Sequence, residues 1–419
     1  MTPDALPRDG APDSTLALLR EGYRFIPNRC ARLQSDAFTA RIMGRKAVCL
    51  TGPRGVRLLY GPEGLTRRGA MPPTVLRLLQ DKASVQQLDG AAHRHRKALF
   101  MTLLVQEDAA RVLADAFARA WAAQLLADGE TCVLDSASDT LARVACDWAG
   151  FGPQISHDPD LRKALYQMSA RAGSVGPGMV GALMRRRRVE RQLARALPDL
   201  PQGCPAQRVV AFRENGAPLP TDVAVVEILN LLRPIVAVGR YIAFAARRLA
   251  IDPEWRQSLA GAESAWIDQF CEEVRRTSPF FPLTGAVTTR PLTHEGLDLP
   301  QGQWVLADLW GTLQSPAAFP MPDDFHPGRQ LGWRAPGDTF VPQGGGDAAT
   351  THRCPGERVT VALMAAAVRV LCGALRWDLP EQDLDVALNR MPAAPASGVL
   401  LSRIREPGQA PAPRNGVSA

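Results

Sequence analysis

Apolar residues recur at helical spacing over most of the chain. Residues 110–126 alternate alanine, leucine and valine with charges three and four positions apart, and residues 182–197 repeat the pattern, so both predict amphipathic helices. Residues 221–249 are apolar almost all round. Thr221 and Asp222 supply cap chemistry at the start of this segment, and Arg247-Arg248 suit its C-terminal end. A helix hydrophobic on every side belongs in the middle of a large protein. Strand signals are few and short, at 46–51, 304–306 and 399–402. The pattern therefore predicts a mainly α protein with small β pieces. Residues 1–15 and 406–419, rich in proline and small residues, read as loose tails around a single domain at 16–405. Residues 198–220, which contain PQGCPAQ and ENGAPLP, read as a long surface loop.

Composition narrows the class without naming a chemistry. With 46% hydrophobic and 22% charged residues in 419, the chain is globular rather than disordered. A net charge of +7 raises nucleic acid or an anionic surface as partners. The one dense basic run, Arg185-Arg186-Arg187-Arg188, sits in a helical pattern and reads as a solvated helix face. No zinc-finger spacing or RNA-binding motif accompanies it, so no nucleic-acid partner is expected. The eight cysteines are scattered and contain no CxxC, which fits reduced thiols in the cytoplasm. The N-terminus lacks the apolar core of a signal peptide, and no stretch of about 18 apolar residues predicts a transmembrane segment.

One cysteine carries a chemical signature. Phe340-Val341-Pro342-Gln343-Gly344-Gly345-Gly346 is followed by Thr351-His352-Arg353-Cys354-Pro355-Gly356-Glu357, and the apolar run 359–371 then predicts a helix. A glycine-rich loop thus delivers Cys354 to a helix N-terminus, where the macrodipole and free N–H groups favour a thiolate. Pro355 fits the start of that helix. The glycines allow close backbone approach to a flat macrocycle. Taken alone, Cys-Pro-Gly could equally be an inert buried cysteine beside a turn. Two further patterns accompany it: Glu273-Val274-Arg275-Arg276, in which Glu273 and Arg276 lie one helical turn apart, and Phe325-His326-Pro327-Gly328-Arg329.

Together these segments resemble the cytochromes P450. The resemblance implies the cytochrome P450 fold, a large helical body with small β-sheets and haem b held between the long central helix and the Cys354 loop. It implies Cys354 as the thiolate ligand of the iron, and a structural rather than catalytic role for Glu273, Arg276 and Arg329. Arg67, His93, Lys97 and Arg353 become candidates for pairing with the haem propionates.

The central helix points to a branch of that family. It reads Asn230-Leu231-Leu232-Arg233-Pro234-Ile235, with no acid–threonine pair at its middle. A buried arginine needs a counter-charge, and Pro234 leaves the Asn230 carbonyl without its usual donor. The counter-charge is either an internal carboxylate or one that arrives with the substrate. The arrangement resembles the fatty-acid peroxygenases, hydrogen-peroxide-dependent α/β-hydroxylases. Residues 16–30, 88–100, 173–177 and 308–312, FVPQGGG, Arg390-Met391-Pro392 and Ser397-Gly398 carry the same resemblance.

It implies a fatty-acid substrate, peroxide as oxidant and no redox partner. Arg233 would anchor the carboxylate, with Pro234 beside it and Phe280 and Phe281 as pocket walls. Gln86 matches a position where hydroxylating members carry glutamine and alkene-forming decarboxylases carry histidine, so 2- or 3-hydroxy acids are the expected products. The chain departs from the branch at Thr351, Trp310, Gln80 and Arg240, and in having Thr277-Ser278 before Pro279. Arg240 falls about two turns after Arg233 on the same helix face. The competing readings are a fatty-acid decarboxylase, a reductase-fed monooxygenase and a non-catalytic haem or fatty-acid binding protein.

Overall fold

A computed structural model describes residues 1–409 except 62, 82, 107, 174–175, 330 and 332–336. Two of the residues that carried the resemblance at 173–177, and the last ten of the expected C-terminal tail, lie outside the described set. The 31-residue helix Thr221–Ile251 forms the axis of the molecule. Between residues 224 and 246 every position is buried except Pro234, which is exposed, and Ala237, which is half-buried. Helices Val133–Ala149, Pro159–Ala170, Pro177–Ala196 and Glu357–Arg369 pack directly against it. The approach of Val133–Ala149 is close because Gly239 carries no side chain. A Cβ there would lie 2.4 Å from Ser138 Oγ.

Helix Ala109–Asp128 closes the core from the far side through Phe117, Trp121 and Leu125, all fully buried. A five-stranded sheet flanks this body, in the order Ala37–Ile42, Arg45–Leu50, Trp304–Asp308, Leu283–Thr288, Leu65–Thr66. Only the pairing of Arg45–Leu50 with Trp304–Asp308 is parallel, and Val48 stands opposite Val305. Trp304–Asp308 is buried at all five positions, as expected for a central strand covered on both faces.

Three expectations are corrected. Residues 198–220 are not one loop: they hold helix Pro205–Ala211 and the hairpin Arg213–Glu214/Ala217–Pro218. Ala206, Val209 and Leu219 bury against the core, so the turn residues punctuate short elements. Residues 1–15 are packed rather than loose. Asp9 N–H donates to Thr39 O at the sheet edge, and the buried Asp9 carboxylate pairs with Arg29 and Arg32, both at 2.7 Å. These cations lie twenty or more residues away, which local composition does not show. Within the basic run, Arg185, Arg187 and Arg188 are exposed, but Arg186 is buried and ion-pairs with Asp81 at 3.2 Å and Glu190 at 2.7 Å.

Candidate active site

The loop carrying Cys354 is set by its glycines. Gly344 and Gly346 have φ of 101° and 73°, and a Cβ on Gly345 would lie 2.3 Å from Val56 Cγ1. Thr351, which replaces a glycine of the resembling family, has its hydroxyl 3.0 Å from Gly345 O and 2.7 Å from Asp347 O, so its one proton fastens the loop to itself through either carbonyl. The following helix begins at Glu357, so Pro355 belongs to the turn before it rather than to its first position.

Two donors face the Cys354 sulfur: Gly356 N–H at 3.4 Å and Gln343 Nε2 at 3.5 Å. Burial nonetheless pushes the thiol above its ordinary value, with Glu357 adding to the push. A cation in front of the sulfur would favour its thiolate form.

Gln343 links this sulfur to a buried charge network. Arg275 donates to Gln343 Oε1 at 2.9 Å and is ion-paired with Glu272 and Glu357, and Glu357 also binds Arg353. The neighbouring pair Glu273–Arg276 is fully buried at 2.8 Å. Arg276 also donates to the carbonyls of Leu313, Pro322 and Asp324, while Arg329 reaches Glu273 at 3.3 Å. These three residues clamp the meander around residues 313–329 against helix Ser264–Thr277.

A second cluster is basic, and among the described residues none of its members His93, His352, Lys97 and Arg67 forms an ion pair. His93 stacks on His352 with ring centroids 4.0 Å apart. Lys97 Nζ donates to the carbonyls of Thr351, at 2.8 Å, and Arg353. Arg67 donates to Gly285 O at 2.7 Å. Burial first, and then the neighbouring cations, push His93 down to about 4 and His352 to about 2, while burial lowers Lys97 to about 8 against the pull of Cys354, Asp347 and Glu357. Burial also lowers Arg67. Buried basic groups gathered in this way form a site suited to anions. His352 was not singled out as a candidate by sequence. Its stacking on His93, 259 positions away, is a tertiary contact with no local signal.

The third cluster surrounds Arg233. The guanidinium is buried, and its hydrogen bonds go to two neutral oxygens: Nη2 to Asn230 Oδ1 at 2.8 Å and Nη1 to Leu78 O at 3.2 Å. Among the described residues no carboxylate hydrogen-bonds to it. Glu227 pairs with Arg96 at 3.0 Å and Asp81 with Arg186, so both nearby acids already hold cations. Burial, reinforced by Arg186, pushes Arg233 down to about 9 against the pull of Glu227 and Asp81.

Asn230 joins the cluster together. Its Nδ2 donates to Glu227 Oε2 at 2.9 Å and to Gln86 Oε1 at 3.2 Å. Gln86 is thereby connected to Arg233 through one side chain. Arg240 does not join them: it donates to Ala393 O at 2.9 Å. Phe280 stacks on Tyr241 at 4.4 Å and meets Phe281 edge-on, while Tyr23 Oη donates to the Phe280 carbonyl at 2.7 Å. Trp310 stands edge-on to Tyr23, and Gln80 accepts from Gln87 Nε2 at 2.9 Å.

Pro234 is exposed in a helix whose neighbouring turns are buried. Cys354, deep in the fold, keeps a half-open surface, and Phe281 is 40% exposed. A cysteine sulfur faced by two N–H donors, a buried basic cluster and accessible apolar side chains are the groups that the iron, the two propionates and the flat body of haem require. The residues present fit that group.

The comparisons agree with this geometry. The sequence pattern described as Cytochrome P450 matches residues 265–398. The chain is 34% identical to the solved structure of cytochrome P450SP alpha (CYP152B1), covering 95% of this chain and 100% of that one with a TM-score of 0.89. Cytochrome P450EX alpha (CYP152N1), solved with myristic acid, is 31% identical over 96% of this chain and 99% of its own, with a TM-score of 0.89. A variant of cytochrome P450 OleT, solved with arachidonic acid, is 27% identical over the same shares with the same TM-score. Among curated sequences, cytochrome P450 135B1 of Mycobacterium tuberculosis is 25% identical, covering 87% of this chain and 83% of its own length.

The chain belongs to the cytochrome P450 family and is an oxidoreductase of that class. Within the family it falls in the fatty-acid peroxygenase branch. No helix among the described residues is long and apolar enough to cross a membrane.

Proposed function

We propose that the protein is a cytoplasmic haem-thiolate peroxygenase that uses hydrogen peroxide to hydroxylate fatty acids at the α or β carbon. The observation that carries this reading is Arg233, a buried cation whose hydrogen bonds among the described residues go to neutral oxygens, beside Pro234, which is exposed in an otherwise buried stretch of helix. Such a guanidinium is short of a counter-charge, and its planar fork matches a carboxylate.

Cys354 would hold the iron of haem b, with Arg67, His93, His352, Lys97 and Arg353 around the propionates. Haem supplies the oxidative chemistry, and the protein supplies orientation and electrostatics. Arg233 would fix the carboxylate, and that single bond decides which carbons come near the oxidant. Asn230 Oδ1 holds the fork in position. The central helix lacks an acid–threonine pair at this point, so the substrate carboxylate takes over the proton work. It accepts a proton from peroxide and returns it to the departing oxygen. Phe280 and Phe281 would wall the chain. The relatives solved with myristic and arachidonic acids support a fatty acid as the substrate. With peroxide as oxidant, no redox partner is required.

The test is Arg233→Ala. Haem content and the visible spectrum should be retained, while kcat/KM for fatty acids falls on the order of 10²–10³-fold, as for loss of a buried charge-assisted contact. Undiminished turnover would remove Arg233 from the mechanism.

A further inference from the structure

Of the basic run at residues 185–188 only Arg186 takes part in the site above, and the helix that bears the run has two distinct faces. Helix Pro177–Ala196 turns Ala182, Arg186, Val189 and Leu193 inward, all buried. Arg186 ties it to the short helix Pro73–Leu79 by donating to Arg77 O, next to the Leu78 carbonyl that accepts from Arg233. The helix is therefore the outer wall over the substrate anchor.

At 3.6 residues per turn, positions 180, 184, 187, 188, 191 and 195 share an arc of about 100° on the opposite side. All six are exposed: Val180, Met184, Arg187, Arg188, Arg191 and Arg195. Val180 is 49% and Met184 62% accessible. Among the described residues, the only ion pair on this arc is Arg188–Asp160 at 3.6 Å, between two side chains about 70% exposed. Four arginines against one acid, beside two protruding apolar side chains, make this arc both basic and amphipathic.

We propose that this face docks on the surface of an anionic lipid bilayer, with Arg187, Arg188, Arg191 and Arg195 against the headgroups and Val180 and Met184 entering the interface. The chemistry favours a bilayer over a soluble polyanion because the arc pairs its charges with exposed aliphatic groups, as interfacial helices do. The charges supply long-range attraction, and no spanning segment is involved. Docking in this orientation would set the wall above Arg233 against the phase into which free fatty acids partition. The lipid contact itself does not rest on the peroxygenase reading, because binding is measured without turnover.

The experiment is sedimentation of the haem-loaded protein with vesicles of phosphatidylcholine alone or mixed with phosphatidylglycerol. Binding is expected only to the anionic vesicles, and should be lost near 1 M salt, where charges are screened within about 3 Å. At about fivefold per basic residue, the triple variant Arg187→Gln/Arg191→Gln/Arg195→Gln should weaken partitioning on the order of 100-fold. Its haem content and Tm should stay unchanged, because all three side chains are exposed. Met184→Gln should weaken vesicle binding without altering retention on heparin. The proposal is overturned by absence of binding to anionic vesicles or by a triple variant that binds like the parent. It is also overturned if heparin retains the protein while vesicles do not, which would assign the arc to a soluble polyanion.

Discussion

Asn230 and Arg233 lie one turn apart on the central helix, and the amide oxygen of the first accepts Nη2 of the second at 2.8 Å. The same amide donates to Glu227 and Gln86, so three of its hydrogen-bonding sites are engaged. An amide held on three sides cannot rotate freely, and the guanidinium it holds is pre-oriented. Asn230→Ala should therefore raise KM for fatty acids roughly tenfold, matching the ~1.5 kcal/mol of one hydrogen bond to a charged group, with a smaller change in kcat. Asn230→Asp should weaken binding further, because it places an internal carboxylate on Arg233. Steady-state kinetics with a single fatty acid check both, and an unchanged KM in both variants would show that Arg233 needs no such support.

Gln86 enters the same network as an acceptor and carries no titratable proton. A histidine there could titrate near neutral pH and donate locally. Gln86→His should raise the proportion of terminal alkene relative to hydroxy acid, measured by gas chromatography. An unaltered product ratio would confine Gln86 to positioning Asn230.

Glu273 and Arg276 are both fully buried and paired with each other; Arg276 also donates to meander carbonyls, and Glu273 accepts from His326 N–H and Arg329. Removing one partner leaves an uncompensated buried charge, at a cost of about 3–5 kcal/mol. Glu273→Ala should yield protein with little haem and a strongly lowered Tm. A variant that loads haem normally would contradict a structural role for the pair.

Asp308 gives a pH prediction away from the reacting groups. It is buried in the central strand, and desolvation pushes its carboxyl up to about 7, although Gly311 N–H and Thr51 Oγ1 donate to it. Between the unfolded value near 3.8 and the folded value near 7, the native state keeps a proton that the unfolded chain has lost. Its contribution to stability therefore falls as pH rises through that window and is constant above it. Asp308→Asn keeps the acceptor for Gly311 and removes the titration. The Tm difference, variant minus parent, should become more positive from pH 4.5 to 7.5. A difference independent of pH would mean that Asp308 does not titrate there.

The parts legible in the sequence are those whose chemistry is contiguous. The loop at 340–357 and the Arg233-Pro234 break in an apolar helix each declare themselves within a few residues. Residues 221–249 were readable because periodicity registers burial directly, and the observed helix extends only to Ile251. The remainder depends on pairs distant in the chain. Arg186 looks like its exposed neighbours until Asp81 and Arg77 O are brought beside it. The tie from Asn230 to Gln86 joins residues 144 positions apart, and Asp9 finds Arg29 only once the N-terminal segment reaches the sheet edge. Composition marks such residues as polar and therefore outside, although partners allow them to be buried.

The most direct test of the account is mass spectrometry of products from the purified, haem-loaded protein given a panel of fatty acids and hydrogen peroxide, with no reductase present. The account predicts 2- or 3-hydroxy fatty acids as the main products, with alkenes minor. No oxidised product from any acid under peroxide, with turnover appearing only when a reductase and reduced nicotinamide are added, would contradict it.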